Sequence, residues 1–300
     1  MMRIMKNKSK APLGASLVVA SSIFYSSFGI WTKLIGNFLD GYTASAIRGL
    51  FILLMLVPVV TIQKKWEPLN LKQNWRYIAG IIIASLFIWG PFYYAILHAG
   101  VGISLAVNYA AIIVGTFFFG WLFAHERFTK DKAISTMLGF VGLILIFSPA
   151  SSRIGWLALA AAVISGVSAG ANTVFAKEIK YNATQSIIAL WTASSIANIT
   201  MSLFVGKNIP FGGHMQWIYV GLFAVASLIA SLCFVRGIKL IEAGAAGILG
   251  LLEIVFGVLF GVVFFHEKPG FVVLVGVAVI IASAVIPYLK DYNAKRGTLD

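Results

Sequence analysis

Charged residues are scarce in this chain of 300 residues: Asp, Glu, Lys and Arg together make up 11% of the sequence. A soluble domain carries about a quarter of its residues as charged ones, which keep its surface hydrated. Hydrophobic residues reach 60% and the mean hydropathy is +0.92, so most of the surface must face lipid. This composition excludes ordinary cytosolic enzymes and disordered scaffolds.

Cysteine is almost absent, since Cys233 is the single one in the sequence. One thiol permits neither an internal disulfide nor a cysteine-based zinc site. The four histidines are scattered near the ends of apolar runs, so no metal is expected. A glycine-rich phosphate-binding loop is also missing, and we expect neither ATP nor another cofactor to drive the protein.

About ten apolar runs are long enough for transmembrane helices, each of which needs roughly 20 residues. The runs are Leu13–Ile35, Tyr42–Ile62, Tyr77–Leu97, Val101–Phe123, Ala133–Pro149, Ile154–Ala176, Ala183–Val205, Gln216–Gly237, Ala243–Phe265 and Phe271–Leu289. Strands of a membrane barrel alternate in polarity and are about half as long. We therefore predict an all-α membrane protein with ten transmembrane helices, the first of them an uncleaved helix rather than a signal peptide.

Positive charge is distributed unevenly between the links that join these runs. With the amino terminus inside, 18 of the 23 Lys and Arg residues fall in the inner segments and four in the outer ones, while Arg48 lies within a span. Cytoplasmic loops carry such an excess. The distribution predicts a multi-pass protein with cytoplasmic tails at residues 1–12 and 290–300, and it accounts for the net charge of +13 without nucleic-acid binding.

The two halves of the sequence resemble each other. Lys33 aligns with Lys177 at an offset of 144 residues, and the tripeptide HER at 125–127 aligns with HEK at 266–268 at an offset of 141. Each half contains five predicted spans, an odd number, so the second copy must be inverted in the bilayer.

Inverted repeats are typical of alternating-access transporters, which bind substrate near the midplane between the repeats. We predict two such five-helix repeats, over residues 13–150 and 154–289. The pattern therefore predicts a secondary transporter.

The stretch GLLEIVFGVLFGVVFFHEK at Gly250–Lys268 resembles the "LEPvfaallawlllgE" signature of the EamA-type permeases of the drug/metabolite transporter superfamily. Glu253 and Glu267 occupy its two acidic positions, and Ile254 replaces its proline. The resemblance extends over essentially the whole chain. It implies a permease of the bacterial inner (plasma) membrane that moves amino acids or related metabolites, usually outward.

Glu253 is the acidic residue nearest the middle of a span, about ten residues into the ninth run at 1.5 Å per residue. An ionisable group at that depth is costly unless it is paired, hydrated or neutral, and it is a functional candidate by default. One interpretation is a proton-coupling or cation-contacting carboxylate. The other is a structural Glu that hydrogen-bonds to a neighbouring helix.

Aromatic residues indicate a cavity. Phe28 and Trp31 share one face of the first helix by helical spacing. Trp89, Phe92 and Tyr93 flank a Gly-Pro pair that we expect to break the third helix, because proline removes a backbone hydrogen bond. Such rings could stack on a flat group or bind a cation through their π faces. The alternative is that they pack between helices or face lipid.

Polar residues within apolar spans are the remaining candidates. Asn108, Tyr109 and Asn172 could orient a substrate or form hydrogen bonds between helices. Arg48 lies about six residues from the outer end of its span, where a long side chain can reach the interface by snorkelling. We expect Glu126 to bind nearby backbone groups or cations.

The sequence thus predicts a transporter that exports a small organic metabolite by alternating access. The alternative is an importer or facilitator of a choline-like organic cation that uses the aromatic cavity. An integral membrane enzyme is disfavoured, because the links are short and lack clustered catalytic residues. The expected partners are the lipid bilayer, a small-molecule substrate and, in a coupled mechanism, protons, and the protein is expected to be a monomer or a homodimer.

Overall fold

The computed structural model of the chain describes residues 10–68, 70–99, 101–127, 129–147, 155–205, 212–266 and 268–296. Every regular element in these ranges is a helix. In the first half the helices are α1 (Ala11–Ser26), α2 (Phe28–Ile35), α3 (Gly41–Ile62), α4 (Leu71–Ala99), α5 (Val101–Ala124) and α6 (Lys130–Phe147). In the second half they are α7 (Trp156–Glu178), α8 (Ala183–Val205), α9 (His214–Ile238), α10 (Ala243–Gly250), α11 (Leu252–Phe265) and α12 (Phe271–Arg296).

Each predicted apolar run coincides with one helix or with two consecutive ones. Within the described ranges, seven helical stretches are long and apolar enough to cross a membrane. They lie in α3, α4, α5, α7, α8, α9 and the α10–α11 pair, while α1 and part of α12 are shorter apolar helices. The chain is therefore an all-α membrane protein, as its composition predicts.

Local sequence explains where several helices begin and end. The Asp40 carboxylate accepts hydrogen bonds from the backbone N–H groups of Tyr42 and Thr43, at 2.9 and 3.0 Å, and caps the start of α3. His125 and His266 follow α5 and α11, and both adopt a left-handed backbone with φ of 54°. A left-handed residue at a helix end turns the chain so that backbone N–H groups can bond to the last free carbonyls of the helix. The two aligned His-Glu segments therefore terminate their helices in the same way.

Two helices are interrupted within their apolar runs, at Ser27 between α1 and α2 and at Leu251 between α10 and α11. The Ser26 and Ser27 hydroxyls donate to the carbonyls of Ile23 and Phe24, at 2.7 and 2.6 Å. Serine hydroxyls compete in this way with the backbone and bend helices. The interruptions place Phe28 and Glu253 immediately after them.

The expected break at the Gly-Pro pair of the third span is wrong. Helix α4 continues through Pro91. The Ser165 hydroxyl donates to the Ile88 carbonyl at 2.7 Å, in the turn before the proline. Gly90 leaves space that the Tyr42 hydroxyl fills. Neighbouring helices therefore support the local defect and the helix continues through it.

Helix packing joins the two halves extensively. Helix α7 packs against α4 and α5, and α1 packs against α9, α10 and α11. Helix α3 pairs with α8, and α6 pairs with α12. Apolar side chains such as Ile113 and Leu251 are fully buried between these helices, whereas Leu203 and Phe204 on the outer surface are each 82% exposed. Such an apolar exterior suits contact with lipid.

Small residues allow α5 and α7 to approach closely. A Cβ atom on Gly170 would lie 2.6 Å from the Thr116 backbone nitrogen and 2.7 Å from the Ile112 carbonyl oxygen. A Cβ on Gly115 would lie 2.7 Å from the Val167 carbonyl oxygen. Membrane helices associate through small residues that bring their backbones together, so this crossing depends on glycine.

We expect Gly170→Ala to lower the stability of the protein by about 1–3 kcal/mol, as over-packing does in tightly packed interiors. The added methyl group meets backbone atoms, which cannot rotate away. The midpoint of thermal unfolding in detergent measures the effect. Gly221→Ala is the matched control, because its Cβ would have no neighbour within 4 Å. Equal midpoints for the two variants would contradict the prediction.

Candidate substrate-binding site

An arginine lies among aromatic rings inside the bundle. Arg48, on α3, is 3% exposed. Its guanidinium carbon lies 4.6 Å from the centre of the Phe223 ring and 5.0 Å from that of Phe28. The same carbon lies 5.2 Å from the rings of Trp89 and Trp191. Cation–π attraction acts within about 6 Å of a ring centre, so all four rings contribute. We call these five residues the aromatic cluster.

The aromatic cluster lies between the two halves of the chain. Phe28 and Trp89 belong to α2 and α4, and Trp191 and Phe223 belong to α8 and α9. The rings of Phe28 and Trp89 are 5.8 Å apart and nearly parallel, at 9°. The Phe223 ring meets Phe28 edge-on, at 4.6 Å and 84°. The cluster is thus built by four helices packed around the inner face of α3.

The expectation that Arg48 snorkels is wrong. On an isolated helix, a residue this close to the end of the span could extend its side chain to the membrane interface. However, the face of α3 that bears Arg48 packs against α8 and α9, and the side chain points into the protein. Helix packing sets the rotation of α3 about its own axis, and this rotation decides whether Arg48 faces the interior or the membrane interface.

A serine links the aromatic cluster to a tyrosine. The Trp191 indole N–H donates to the Ser231 hydroxyl oxygen at 3.0 Å. The same hydroxyl lies 3.2 Å from the Tyr25 hydroxyl. Tyr25 interacts electrostatically with both Arg48 and Glu253, so the cation and the acid lie in the same region of the bundle.

Glu253 has a partner from the other half of the chain. The Tyr109 hydroxyl, on α5, donates to the Glu253 carboxylate at 2.8 Å. Glu253 is half-buried and is the second residue of α11, directly after the interruption at Leu251. The contact joins two of the predicted site residues and is compatible with both interpretations of Glu253.

The other predicted aromatic residues are less central. The Trp31 indole N–H donates to the Ser27 hydroxyl oxygen at 3.1 Å, and its ring packs in the apolar cluster around Phe223. Phe92 is half-buried on α4. The side chain of Tyr93 lies outside the described residues.

The two candidate asparagines bind neighbouring helices. The Asn108 amide donates to the Ser165 hydroxyl oxygen at 2.9 Å and to the Ala162 carbonyl at 3.3 Å. The Asn172 amide donates to the Ser85 hydroxyl oxygen at 3.3 Å, while its buried Oδ1 has no partner in the described structure. These contacts belong to the packing of α7 against α4 and α5.

Sequence reasoning missed Trp191, Phe223, Ser231 and Tyr25. The available signal was Arg48 itself, because an arginine within an apolar span marks a functional site by default and needs partners. The identity of those partners depends on helix packing. Within the described ranges, no group of three or more His, Cys, Asp and Glu residues is arranged to bind a metal ion.

The links at residues 62–71, 124–130, 178–183 and 238–243 form the lysine-rich end of the bundle. Here the Glu126 carboxylate accepts hydrogen bonds from the backbone N–H groups of Ala243 and Gly244, at 2.7 and 3.2 Å, and pairs with Lys177. The acid therefore caps the start of α10 and joins both halves of the chain. The expectation for Glu126 is confirmed, whereas its counterpart Glu267 lies outside the described residues.

A second group of contacts joins the halves at this end. The Glu67 backbone and carboxylate exchange hydrogen bonds with Gln185 and Asn182, at 2.9–3.1 Å. Beside them, a cavity of about 650 Å³ lies between α3, α8 and α9. Leu56, Leu232 and Arg236 are among its lining residues, and it opens at the lysine-rich end.

Lys239 also lies at the lysine-rich end, just beyond α9. Its ammonium donates to the carbonyls of Ile179 and Tyr181, at 2.9 and 3.1 Å. Burial lowers the pKa of Lys239 to about 8, although Glu178 and Glu67 act in the opposite direction. A buried ammonium loses hydration that two carbonyl groups only partly replace.

We expect Glu126→Gln to lower the midpoint of thermal unfolding substantially, because removing one member of a buried ion pair costs about 3–5 kcal/mol. Glu242→Gln is the matched control, since Glu242 pairs with Lys132 but its side chain is 50% exposed. Exposed pairs contribute about 0–1 kcal/mol. If both variants unfold at the same temperature, Glu126 does not join the halves as described.

We expect stability to rise with pH between about 8 and 10.5 through Lys239. In that window the unfolded chain binds a proton that the folded chain does not, so deprotonation favours the folded state. Unfolding midpoints across this range should rise less in Lys239→Met than in the wild type. The exposed Lys180→Met variant should keep the wild-type slope, and an unchanged slope in Lys239→Met would contradict the assignment.

Comparison with known proteins agrees with this architecture. The EamA-like transporter family matches the chain twice, over residues 12–148 and 156–289. A riboflavin transporter of Rhizobium johnstonii is 24% identical over 296 residues, covering 96% of this chain and 95% of its own. Solute carrier family 35 member G1 of Homo sapiens is 21% identical, covering 93% of this chain and 80% of its own.

A solved crystal structure has the same fold, with a TM-score of 0.79 at 15% identity over 93% of this chain and 98% of that chain. At this identity the likeness concerns the fold alone. The family matches together span nearly the whole sequence, and their two ranges meet at the link between α6 and α7. The chain belongs to the EamA-like transporter family.

Proposed function

We propose that the protein is a secondary transporter that exports a small organic metabolite by alternating access of two inverted five-helix repeats. The observation that carries the proposal is the pairing of helices. Helix α7 of the second half contacts α4 and α5, the third and fourth spans of the first half. The first span, α1, contacts α9 and the α10–α11 pair, the third and fourth spans of the second half.

The remaining pairs follow the same symmetry. Helices α3 and α8 are the second spans of their halves and pair with each other, and α6 and α12 are the fifth spans and do likewise. A two-fold relation between the halves produces this exchange of partners. The two matches of the family and the equal left-handed ends at His125 and His266 support it further. Each half then contributes five spans, ten in all.

We place the substrate between the repeats, near Phe28, Trp89, Tyr109 and Glu253. Helices α1 and α10 are interrupted beside this region, and discontinuous helices surround binding sites in many transporters. The cavity lined by Leu56 and Leu232 opens at the lysine-rich end. We propose that this end faces the cytoplasm of the cell, because cytoplasmic loops carry excess Lys and Arg. Both termini are then cytoplasmic and the protein lies in the plasma membrane.

The substrate that we propose is an amino acid or a related metabolite. Membership of a transporter family supports a small solute, and one relative is named for riboflavin, a molecule with a flat ring system. A site walled by the Phe28 and Trp89 rings suits a substrate with a planar or apolar part. A choline-like cation is less suited, because the positive charge of Arg48 lies beside the aromatic rings and repels like charge.

Glu253 is the coupling group that we propose. Its carboxylate lies at the start of α11 and contacts Tyr109 of the opposite half. Protonation removes the charge of the acid and turns an acceptor into a donor, which changes this contact between the repeats. If the substrate binds more tightly to one protonation state of Glu253 than to the other, substrate binding and proton binding are coupled.

Transport into proteoliposomes tests the function. A panel of labelled amino acids, monocarboxylates, flavins and quaternary amines is offered with and without a pH gradient, to wild type and to Glu253→Gln. We expect gradient-dependent uptake of at least one compound by the wild type. In Glu253→Gln we expect the gradient dependence to disappear, while exchange of substrate across the membrane continues.

Glu242→Gln is the matched control, because it removes an exposed acid of the same half. It should keep the wild-type response to the gradient. Equal gradient dependence in Glu253→Gln and wild type would make Glu253 structural and the protein a facilitator. Failure of every compound on the panel to move would overturn transport of this class of metabolite.

A further inference from the structure

Arg48 is a buried cation without an anionic partner. Its Nε–H finds no acceptor within the described residues, and no described carboxylate forms an ion pair with the guanidinium. The residue is 3% exposed, so water has little access to it. Buried charges are ordinarily paired, since an unpaired one carries a large desolvation cost. Within the described residues, the Arg48 guanidinium therefore lacks an anionic hydrogen-bond acceptor.

The four rings stabilise the charge of the Arg48 guanidinium but do not satisfy its hydrogen-bond donors. Their π systems attract the positive charge, with ring centres 4.6–5.2 Å from the guanidinium carbon. The N–H donors, however, lie in the plane of the group and form a rigid fork that fits two oxygen atoms at once. The rings offer no oxygen acceptor to these donors, and the Nε–H finds none among the described residues. A fork of this geometry is complementary to a carboxylate.

The residue type agrees with this role. Lysine would present a compact and strongly hydrated ammonium, whereas arginine stacks on rings and binds carboxylates through two parallel hydrogen bonds. A residue needed only to fill space among Phe28, Trp89, Trp191 and Phe223 would be apolar, because an apolar side chain avoids the cost of burying charge.

We propose that Arg48 binds the carboxylate of the transported substrate, and that the protein selects monocarboxylates that carry a flat aromatic ring. The substrate ring would lie against the rings of the aromatic cluster, and its carboxylate would face the guanidinium edge. This assignment names the substrate class of the proposed transport site and rests on that function. The Glu253 carboxylate, which interacts with the same Tyr25 as Arg48 does, would repel a second negative charge on the substrate.

Binding to purified protein in detergent tests the assignment independently of transport. Three probes of similar size separate charge from ring: phenylacetate is an aromatic anion, phenethylamine an aromatic cation and cyclohexylacetate a non-aromatic anion. None of them absorbs where tryptophan fluorescence is excited selectively. Quenching of the fluorescence of the eight tryptophans, of which Trp89 and Trp191 belong to the aromatic cluster, reports binding, and the shift of the unfolding midpoint checks it.

We expect phenylacetate to bind the wild type more tightly than both other probes. In Arg48→Gln its dissociation constant should rise about tenfold or more, the loss expected for a charge-assisted bidentate contact. Arg48→Lys should show an intermediate loss, since it keeps the charge but not the fork. Arg76→Gln, which removes an exposed arginine of α4, is the matched control and should bind as the wild type does.

Folding of the variants gives a second measurement. If the Arg48 guanidinium has an anionic partner only when substrate is bound, Arg48→Met removes an uncompensated buried charge from the free protein. The unfolding midpoint without ligand should then stay unchanged or rise. A clear fall in that midpoint, with unchanged phenylacetate binding in Arg48→Lys, would make the arginine structural and overturn the proposal.

Two further outcomes separate this proposal from the transport function. Stronger binding of phenethylamine than of phenylacetate, or no binding of phenylacetate to the wild type, overturns the carboxylate assignment. If proteoliposomes then still transport another compound of the panel, the transport function stands without it. If phenylacetate binds through Arg48 but no compound is transported, the site is correct and the proposed function is wrong.

Discussion

Exclusion of water from the interior of the bundle is the constraint on which the structure depends. Backbone polar groups in lipid must be satisfied internally, so every span is a helix. Side chains that remain polar must find partners on other helices. Asn108 binds Ser165, Tyr109 binds Glu253, and Trp191 binds Ser231. Each contact joins different helices, so the same constraint that forms the helices also determines how they fit together. Arg48 is informative because it is a buried charged side chain whose Nε–H finds no such partner among the described residues.

The two halves are held together by different physical means along the bundle. At the crossing of α5 and α7, glycines let backbones approach and dispersion forces dominate. At the lysine-rich end, Glu126 and Glu67 join the halves through charge and backbone hydrogen bonds. The aromatic cluster and the Tyr109–Glu253 contact also join the halves, through a cation beside aromatic rings and through a hydrogen bond to an acid.

Much of the fold could be predicted from the sequence, and the failures have definite causes. The apolar runs match the helices closely, because length and hydropathy are properties of consecutive residues. The predicted break at Pro91 of α4 is wrong, because Ser165 on another helix bonds to the carbonyl of Ile88 in the turn before the proline. The interruption at Ser27 was not foreseen, although the serine pair provided a local signal. Of the site residues, Phe28 and Trp89 meet in the aromatic cluster and Tyr109 meets Glu253, while Asn108 and Asn172 belong to helix packing.

The sequence by itself determined that the chain is helical, lies in a membrane and is composed of two similar halves. These properties follow from hydropathy, from the distribution of Lys and Arg, and from repeated motifs, all of which are independent of three-dimensional contacts. Only the tertiary structure decided which face of each helix points inward. A rotation of α3 would leave its hydropathy unchanged yet move Arg48 from the aromatic rings to another surface. The direction of a side chain is set by packing against distant segments, and a linear pattern contains too little information to specify it.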